Sequence, residues 1–185
     1  MKNIILSTAL LIISNFCFAD IDTLISISKT EFEKGSIEGK LKKDSNIIKK
    51  KGVLKIGYCK TFIDNSDDEN FCEFDYIGNI NNSFRVVKKT LYNGEEYIIL
   101  TKNNPCKTYT FKGYPHICDS IIINFDESVT TDRKKIIEVW RITSIGISKI
   151  KNIPLSKNIQ TNNIRFLNNF VLIKDNKGRY WKQKY

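Results

Sequence analysis

The sequence predicts an all-β protein: an antiparallel sandwich or barrel-like sheet of about eight short strands, tied by disulfides. Three observations predict this class. Short runs rich in Ile, Val, Phe and Tyr recur along the chain, clusters of Gly, Asn, Asp and Pro separate them, and cysteines flank the short loops between runs. β-Branched and aromatic residues favour extended backbone, and such turn clusters end strands.

The first 19 residues are typical of a secretory signal peptide. Lys2 gives a positive start, residues 4–13 are almost wholly apolar, and Ala19 supplies a small residue at the cleavage position. The apolar run is too short for a transmembrane helix. We therefore expect Sec-dependent export, cleavage after Ala19, and a soluble periplasmic or secreted product with no transmembrane anchor. The less favoured alternative is an uncleaved anchor.

Cysteine number supports export. Four cysteines follow the leader, and an even number favours disulfides in an exported chain. Of the three possible pairings we expect Cys59–Cys72 and Cys106–Cys118, because each closes a short loop between strand-like runs. Zinc is less favoured, since the spacings are not CxxC and His116 is the only histidine. We predict no metal and no cofactor.

Removal of the leader leaves 166 of the 185 residues, which suits one compact domain. Residues 20–51 form a polar, Lys-rich segment whose apolar start fits a short helix or a strand. We expect the remainder of that segment to be exposed and mobile at the surface. Residues 52–185 are expected to form the single β domain.

The clearest hairpin of that domain covers residues 84–100, with Asn93-Gly94 as a type I′ turn. Asn and Gly tolerate the positive φ that this turn requires. A loop bounded by two cysteines is then expected to join strands over 97–100 and 117–125.

The C-terminal third continues the pattern. Residues 134–144 fit either a strand or a helix, and their β-branched content favours the strand. A last hairpin is expected to join residues 164–173 to residues 178–185 through a turn at 175–178.

No stretch carries a catalytic or cofactor signature such as HExxH, GxSxG or a Gly-rich phosphate loop. His116 has no second imidazole to work with, and we expect oxidised thiols. Residues 64–75 have part of a calcium-loop spacing, but Glu69 stands where the turn needs glycine. We therefore predict that the protein is not an enzyme; a hydrolase with a carboxylate site built from distant residues is the third alternative.

The preferred hypothesis is function by binding. We expect an inhibitor or toxin-neutralising (immunity) protein of the bacterial envelope, which binds a specific protein partner through loops 108–116 and 64–70, because binding residues favour loops on a rigid scaffold. The formal charge, +10 for the full chain and +9 once Lys2 is removed with the leader, favours an acidic partner and disfavours a basic lysozyme as target. The candidate contact residues are Lys107, Tyr109, Lys112, Tyr114 and His116.

The second hypothesis is a binder of anionic polymer: a glycan, a lipid headgroup or nucleic acid. Residues 40–60 carry +7 and residues 139–185 carry +9. Interleaved basic and aromatic residues can neutralise phosphates and stack bases, although strand alternation also allows the aromatics to be core. Polyanion binding should weaken steeply with salt. The candidate anion contacts are Lys174, Lys177, Arg179, Lys182 and Lys184.

Overall fold

The computed structural model describes residues 24–37, 39–103, 105–125, 136–155 and 161–185. The signal peptide and cleavage site predicted over residues 1–19 lie outside the described residues. Within them the chain forms fifteen β-strands and one short α-helix, so the all-β prediction is confirmed. No helix in these ranges is long and apolar enough to cross a membrane.

The strands form four antiparallel sheets, called sheets I to IV. Sheet I consists of β2 (Lys49–Lys50), β3 (Val53–Ile56) and β4 (Lys60–Ile63). Sheet II consists of β5 (Cys72–Ile80), β6 (Phe84–Leu91), β7 (Gly94–Thr101) and β8 (Thr108–Lys112). Sheet III consists of β9 (His116–Cys118), β10 (Ile121–Phe125), β11 (Ile136–Thr143) and β12 (Gly146–Pro154). Sheet IV consists of β13 (Thr161–Leu167), β14 (Phe170–Asp175), β15 (Tyr180–Lys184) and β1 (Ile25–Ile27).

The sheets stack in the order I, II, III, IV, with an apolar core in each of the three interfaces. Leu54 and Phe62 of sheet I pack with Val87 and Leu100 of sheet II in the first core. The second core joins sheets II and III, and its members include Phe84, Val86, Ile99, Ile122 and Ile142. The third core joins sheets III and IV, and its members include Ile123, Val139, Ile153, Phe166 and Val171.

The two inner sheets are covered on both faces. Val86 and Val87 of β6 are consecutive residues, and both are fully buried. Successive side chains of a strand point to opposite faces, so Val86 enters the second core and Val87 the first. This double burial explains why β7 and β10 each contain a continuous apolar run, at residues 97–100 and 121–123.

Parts of the Lys-rich segment are built into the sheets. β1 pairs with β15 and forms an edge of sheet IV. The helix α1 (Lys29–Glu33) starts at Ser28, whose side chain accepts a hydrogen bond from the backbone N–H of Glu31. The buried ring of Phe32 packs 5.0 Å from the ring of Tyr180 on β15.

The hairpin of β6 and β7 lies where predicted, but its turn starts one residue earlier. Leu91 pairs with Gly94, so the loop residues are Tyr92 and Asn93. Neither of them has a positive φ, whereas Gly94 has a φ of 146°. The predicted type I′ turn at Asn93-Gly94 is therefore wrong, because the glycine conformation is used at the start of β7.

Two runs predicted as single strands are each split by a turn, which accounts for two of the strands beyond the expected eight. Asp119 lies between β9 and β10, and Asn168 lies between β13 and β14, each with a φ of 51°. Asp and Asn enter this left-handed region more readily than other side chains. Residues 136–143 form the strand that was favoured over a helix.

The predicted disulfide pairing is wrong. Cys59, in the turn after β3, is bonded to Cys106, in the connection from β7 to β8, with a Cα–Cα distance of 5.6 Å. Cys72 and Cys118 have free thiols. The local pairings fail because β8 lies between Cys106 and Cys118, and because the packing of sheet I on sheet II brings Cys59 to the far end of β7.

Candidate functional site

The outward side of sheet I carries exposed aliphatic side chains. Its inward side is the first core, and Ile48 and Ile63 point away from that core with 61% and 65% of their surface exposed. Strand alternation places five side chains on this side, and the exposed Ile48 directly precedes β2. We call these six residues the outer face: Ile48, Lys50, Val53, Lys55, Thr61 and Ile63.

The register of sheet I sets the neighbours on the outer face. Val53 lies opposite Ile63, Lys55 lies opposite Thr61, and Lys50 lies opposite Val53. Directly opposed side chains in antiparallel strands are about 5 Å apart at Cβ. The outer face therefore places aliphatic and cationic groups close together.

The outer face carries two lysines, Lys50 and Lys55. Lys50 and Lys55 form no ion pair with any residue that the structure describes. Two carboxylates instead pair with Lys49 on the inward side, whose Nζ lies 2.6 Å from Asp64 and 3.7 Å from Asp75. Burial alone would lower the pKa of Lys49, but the hydrogen bond to Asp64 raises it overall. Negative charge is thus drawn inward and positive charge remains outside.

A second group of cations lies where the disulfide joins sheets I and II. The Tyr58 hydroxyl donates a 2.7 Å hydrogen bond to the backbone oxygen of Lys102, although 73% of the Tyr58 surface is exposed. Lys60 follows Cys59 and Lys107 follows Cys106, so the bond holds their Cα atoms within about 13 Å of each other. We call Tyr58, Lys60, Lys102, Lys107 and the two bonded cysteines the disulfide corner.

The disulfide corner adjoins sheet I at the turn between β3 and β4, which carries Tyr58. Strand alternation places Lys60 on the same side as Phe62, opposite to the outer face. Lys60, Lys102 and Lys107 have no carboxylate partner within the described ranges. The Lys60 ammonium lies 5.2 Å from the centre of the Phe62 ring. A tyrosine fixed at its hydroxyl, in a segment that the disulfide joins to several lysines, is a suitable contact for an acidic surface.

The five predicted contact residues do not share one loop. Residues 108–112 form β8, so Lys107 and Lys112 are separated by the length of that strand, roughly 16 Å. Tyr109 is half-buried and packs against the second core. The Tyr114 ring contacts the rings of Tyr97 and His116 edge-on, at 5.4 and 5.2 Å, and His116 starts β9. Of the five, Lys107 belongs to the disulfide corner.

The predicted loop at 64–70 is also present and exposed over residues 66–70. The arrangement of Asp64 does not suit a calcium site. One of its carboxylate oxygens pairs with Lys49, and the other accepts a hydrogen bond from the backbone N–H of Phe74. Across the described residues no group of three His, Cys, Asp or Glu side chains could hold a metal ion.

The predicted anion contacts are partly neutralised within the protein. The Arg179 Nε lies 2.7 Å from Asp175, and the Lys182 ammonium lies 2.7 Å from Glu31. Lys174, Lys182 and Lys184 share the outward side of sheet IV, whereas Lys177 and Arg179 lie in and after the turn between β14 and β15. The structure thus brings three of the five predicted anion contacts onto one side of sheet IV, and one of these three, Lys182, already pairs with Glu31.

Two well-packed carboxylates bear on the hydrolase alternative. Burial opposes ionisation of Asp175 and of Glu138, but hydrogen bonds lower the pKa of each carboxyl. The donors are Arg179, Trp181 and the backbone of Lys177 for Asp175, and Lys149, Asn124 and Trp140 for Glu138. Glycosidase chemistry needs a carboxyl with a raised pKa as its acid, and neither of these two groups has one.

The outer face was not predicted from the sequence. Alternation within residues 53–56 and 60–63 was visible and would have put Lys55, Thr61 and Ile63 on one side. Nothing local indicates that this side stays uncovered, because that depends on sheet I being the last layer. Tyr58 was equally hidden, since its position depends on the Cys59–Cys106 bond.

Comparison with known proteins adds no identification. No protein-family model, no curated protein and no solved structure matches the chain.

Proposed function

We propose that this is an exported binding protein without catalytic activity, of the inhibitor or toxin-neutralising (immunity) type. In this proposal it binds a protein partner that has an acidic surface. One observation carries the proposal: the outermost sheet presents exposed isoleucines next to lysines that lack carboxylate partners among the described residues.

The chemistry of the outer face suits a protein partner. Clustered aliphatic groups such as Ile48, Val53 and Ile63 favour removal from water by another apolar surface. The lysines beside them attract an acidic partner and fix its orientation, and they suit a rim better than a centre. A highly charged polymer would use the lysines but would gain little from the isoleucines.

The scaffold supports tight binding by being ordered beforehand. The inward side of sheet I is packed on sheet II, and the disulfide ties the turn of β3 and β4 to the same sheet. Ordering a surface before binding reduces the entropy lost on association. The disulfide is also compatible with an oxidising compartment, which supports the export expected from the first 19 residues.

An anionic polymer is the alternative partner. The observation that favours it is the common side of sheet IV shared by Lys174, Lys182 and Lys184, with Phe170 and Tyr180 between them. The Lys182 ammonium lies 5.5 Å from the Phe170 ring centre and also pairs with Glu31, so one of these cations is already engaged.

The test is a pull-down from envelope extract with residues 20–185 as bait, washed at about 50 and 200 mM salt, a range that separates phosphate-driven binding from packed interfaces. The test variant combines Lys55→Glu with Ile63→Ser. The matched control combines Lys177→Glu with Ile145→Ser, which changes another exposed lysine and another exposed isoleucine, the latter with 77% of its surface exposed.

We expect one acidic protein to be retained through both washes, and retention to fall about tenfold or more in the test variant only. Circular dichroism of both variants should match the parent, because the changed side chains are exposed. Loss of the retained material at the higher salt, or sensitivity to the control variant alone, would instead assign binding to the basic segments and remove the protein-partner proposal.

A further inference from the structure

A polar cleft of about 530 Å³ opens at one end of the interface between sheets III and IV. It is separate from the outer face, which lies on sheet I. Ligand sites in proteins commonly have volumes of roughly 300–1,000 Å³. The cleft therefore has room for a small molecule, and its lining indicates which kind.

One wall is a row across three strands of sheet III. Cys118 on β9, Ile121 on β10 and Arg141 on β11 are consecutive partners in the register. Their side chains share one side of the sheet, the side that faces sheet IV. The cleft wall thus offers a thiol, an aliphatic surface and a guanidinium in order.

The opposite wall belongs to sheet IV and the segment before β2. Phe166 supplies a buried ring, and its backbone exchanges two hydrogen bonds with Ser36, at 2.7 and 3.0 Å. Tyr185 closes the wall, with its hydroxyl donating to the backbone oxygen of Asn168 at 2.8 Å. Backbone pairing therefore fixes this wall before any ligand binds.

Two opposite charges border the cleft without meeting. Asp119, in the turn between β9 and β10, and Arg141 both line it, yet neither forms an ion pair with the other or with another described residue. Both act on the Tyr185 phenol, whose pKa is raised by burial, Cys118 and Asp119 and lowered by Arg141. A carboxylate and a guanidinium held apart around one cleft complement a ligand that carries both signs of charge.

We infer that this cleft binds a small zwitterion, an amino acid or a short peptide with free termini. The ligand carboxylate pairs with Arg141, because a guanidinium can donate two parallel hydrogen bonds to a carboxylate. The ligand ammonium pairs with Asp119. An apolar ligand side chain lies on Ile121 and Phe166. Binding is reversible and forms no covalent bond with Cys118.

The experiment uses the protein with Cys72→Ser, so that Cys118 is the free thiol among the described cysteines. The probes are L-leucine, the dipeptide Ala-Leu, and Ala-Leu blocked at both ends by N-acetylation and C-amidation. Titration calorimetry measures affinity. The rate of Cys118 alkylation at mildly alkaline pH gives an independent report of whether the cleft is occupied.

We expect L-leucine or Ala-Leu to bind and to slow Cys118 alkylation, and the blocked peptide to do neither. Whichever of the two binds more tightly distinguishes an amino acid site from a peptide site. Arg141→Gln and Asp119→Asn should each weaken binding about tenfold or more. Asn tolerates the left-handed conformation at position 119, so that variant should keep the turn.

The matched control is Lys174→Gln, which removes a half-buried charge from sheet IV outside the cleft and should leave affinity unchanged. The inference is overturned if neither free ligand binds at concentrations on the order of 1 mM. It is equally overturned if the blocked peptide binds as well as the free one, or if Lys174→Gln weakens binding as much as Arg141→Gln.

Discussion

At the scale of single residues, the most constrained charge in the described chain is Asp175 at the end of β14. Its side chain is fully buried. Its carboxylate accepts from the backbone N–H groups of Lys177 and Arg179, both at 2.9 Å, and from the Arg179 Nε at 2.7 Å. The Trp181 indole adds a fourth donor at 3.3 Å. One carboxylate thus organises the whole turn between β14 and β15.

We predict that Asp175→Asn destabilises the fold by roughly 1–3 kcal/mol, because the amide cannot accept from every donor and leaves some unpaired. Urea unfolding followed by circular dichroism measures this. Asp68→Asn, in the exposed loop after β4, is the control and should change stability by less than about 0.5 kcal/mol. Equal effects of the two substitutions would show that the buried network adds no stability.

The same network predicts a pH dependence. Burial opposes ionisation of Asp175, but the donors from Arg179, Trp181 and Lys177 lower its pKa overall. A carboxylate with a lowered pKa in the folded state stabilises above its unfolded pKa, about 3.9, and loses that contribution as pH falls through the folded pKa. The stability gap between parent and Asp175→Asn should therefore be full at neutral pH and shrink below about pH 4.

At the scale of elements, the disulfide is the covalent link between sheets I and II. Cys59 and Cys106 are 47 positions apart in the sequence. Closing a loop of that length restricts the unfolded chain by an amount that corresponds to about 4 kcal/mol. The Tyr58 hydroxyl bond to Lys102 joins the same two segments without a covalent bond.

We predict that Cys59→Ser with Cys106→Ser lowers the free energy of unfolding by about 3–4 kcal/mol. Cys72→Ser, which changes a half-buried free thiol, is the control and should have a much smaller effect. Non-reducing peptide mapping of the parent should yield a Cys59–Cys106 peptide. Recovery of a Cys59–Cys72 or Cys106–Cys118 peptide would contradict the structure.

Element by element, local signals were sufficient where neighbours in sequence pair with each other. The β6–β7 and β14–β15 hairpins were predicted because both strands and their turn lie within about twenty residues. The split at Asp119 was missed, although Asp119 and Ser120 are turn-favouring residues between two apolar stretches. The Cys59–Cys106 bond was missed because it depends on which sheets pack together, and sequence distance says nothing about that.

At the scale of the whole molecule, stacking decides which surfaces can act. Sheets II and III are covered on both faces. Exposed functional groups therefore lie on the outer sides of sheets I and IV and at the edges of the interfaces between sheets. The outer face lies on the first layer, and the cleft lies at an end of the last interface. Neither could be assigned from the sequence, since strand alternation gives two sides but does not say which side stays in water.

The last layer is completed by the beginning of the described chain, and Gly35 is the point of closest approach. A Cβ added there would lie 2.7 Å from the Leu172 Cδ1 and 2.8 Å from the Arg165 Cβ. Arg165 also donates from Nη1 to the backbone oxygens of Glu33 and Gly35, at 3.0 and 3.4 Å. The segment after α1 can therefore pack against sheet IV because Gly35 has no side chain.

We predict that Gly35→Ala destabilises the protein by roughly 1–3 kcal/mol, the usual cost of overpacking. Gly39→Ala is the matched control, because a Cβ there meets only the Ile117 oxygen at an ordinary 3.8 Å. Urea unfolding should separate the two, and amide exchange at Lys182 should rise in Gly35→Ala as β1 and α1 loosen. Because sheet I is the opposite layer of the stack, partner retention should be unchanged while Gly35→Ala remains folded. A loss of retention under those conditions would mean that the binding surface includes sheet IV.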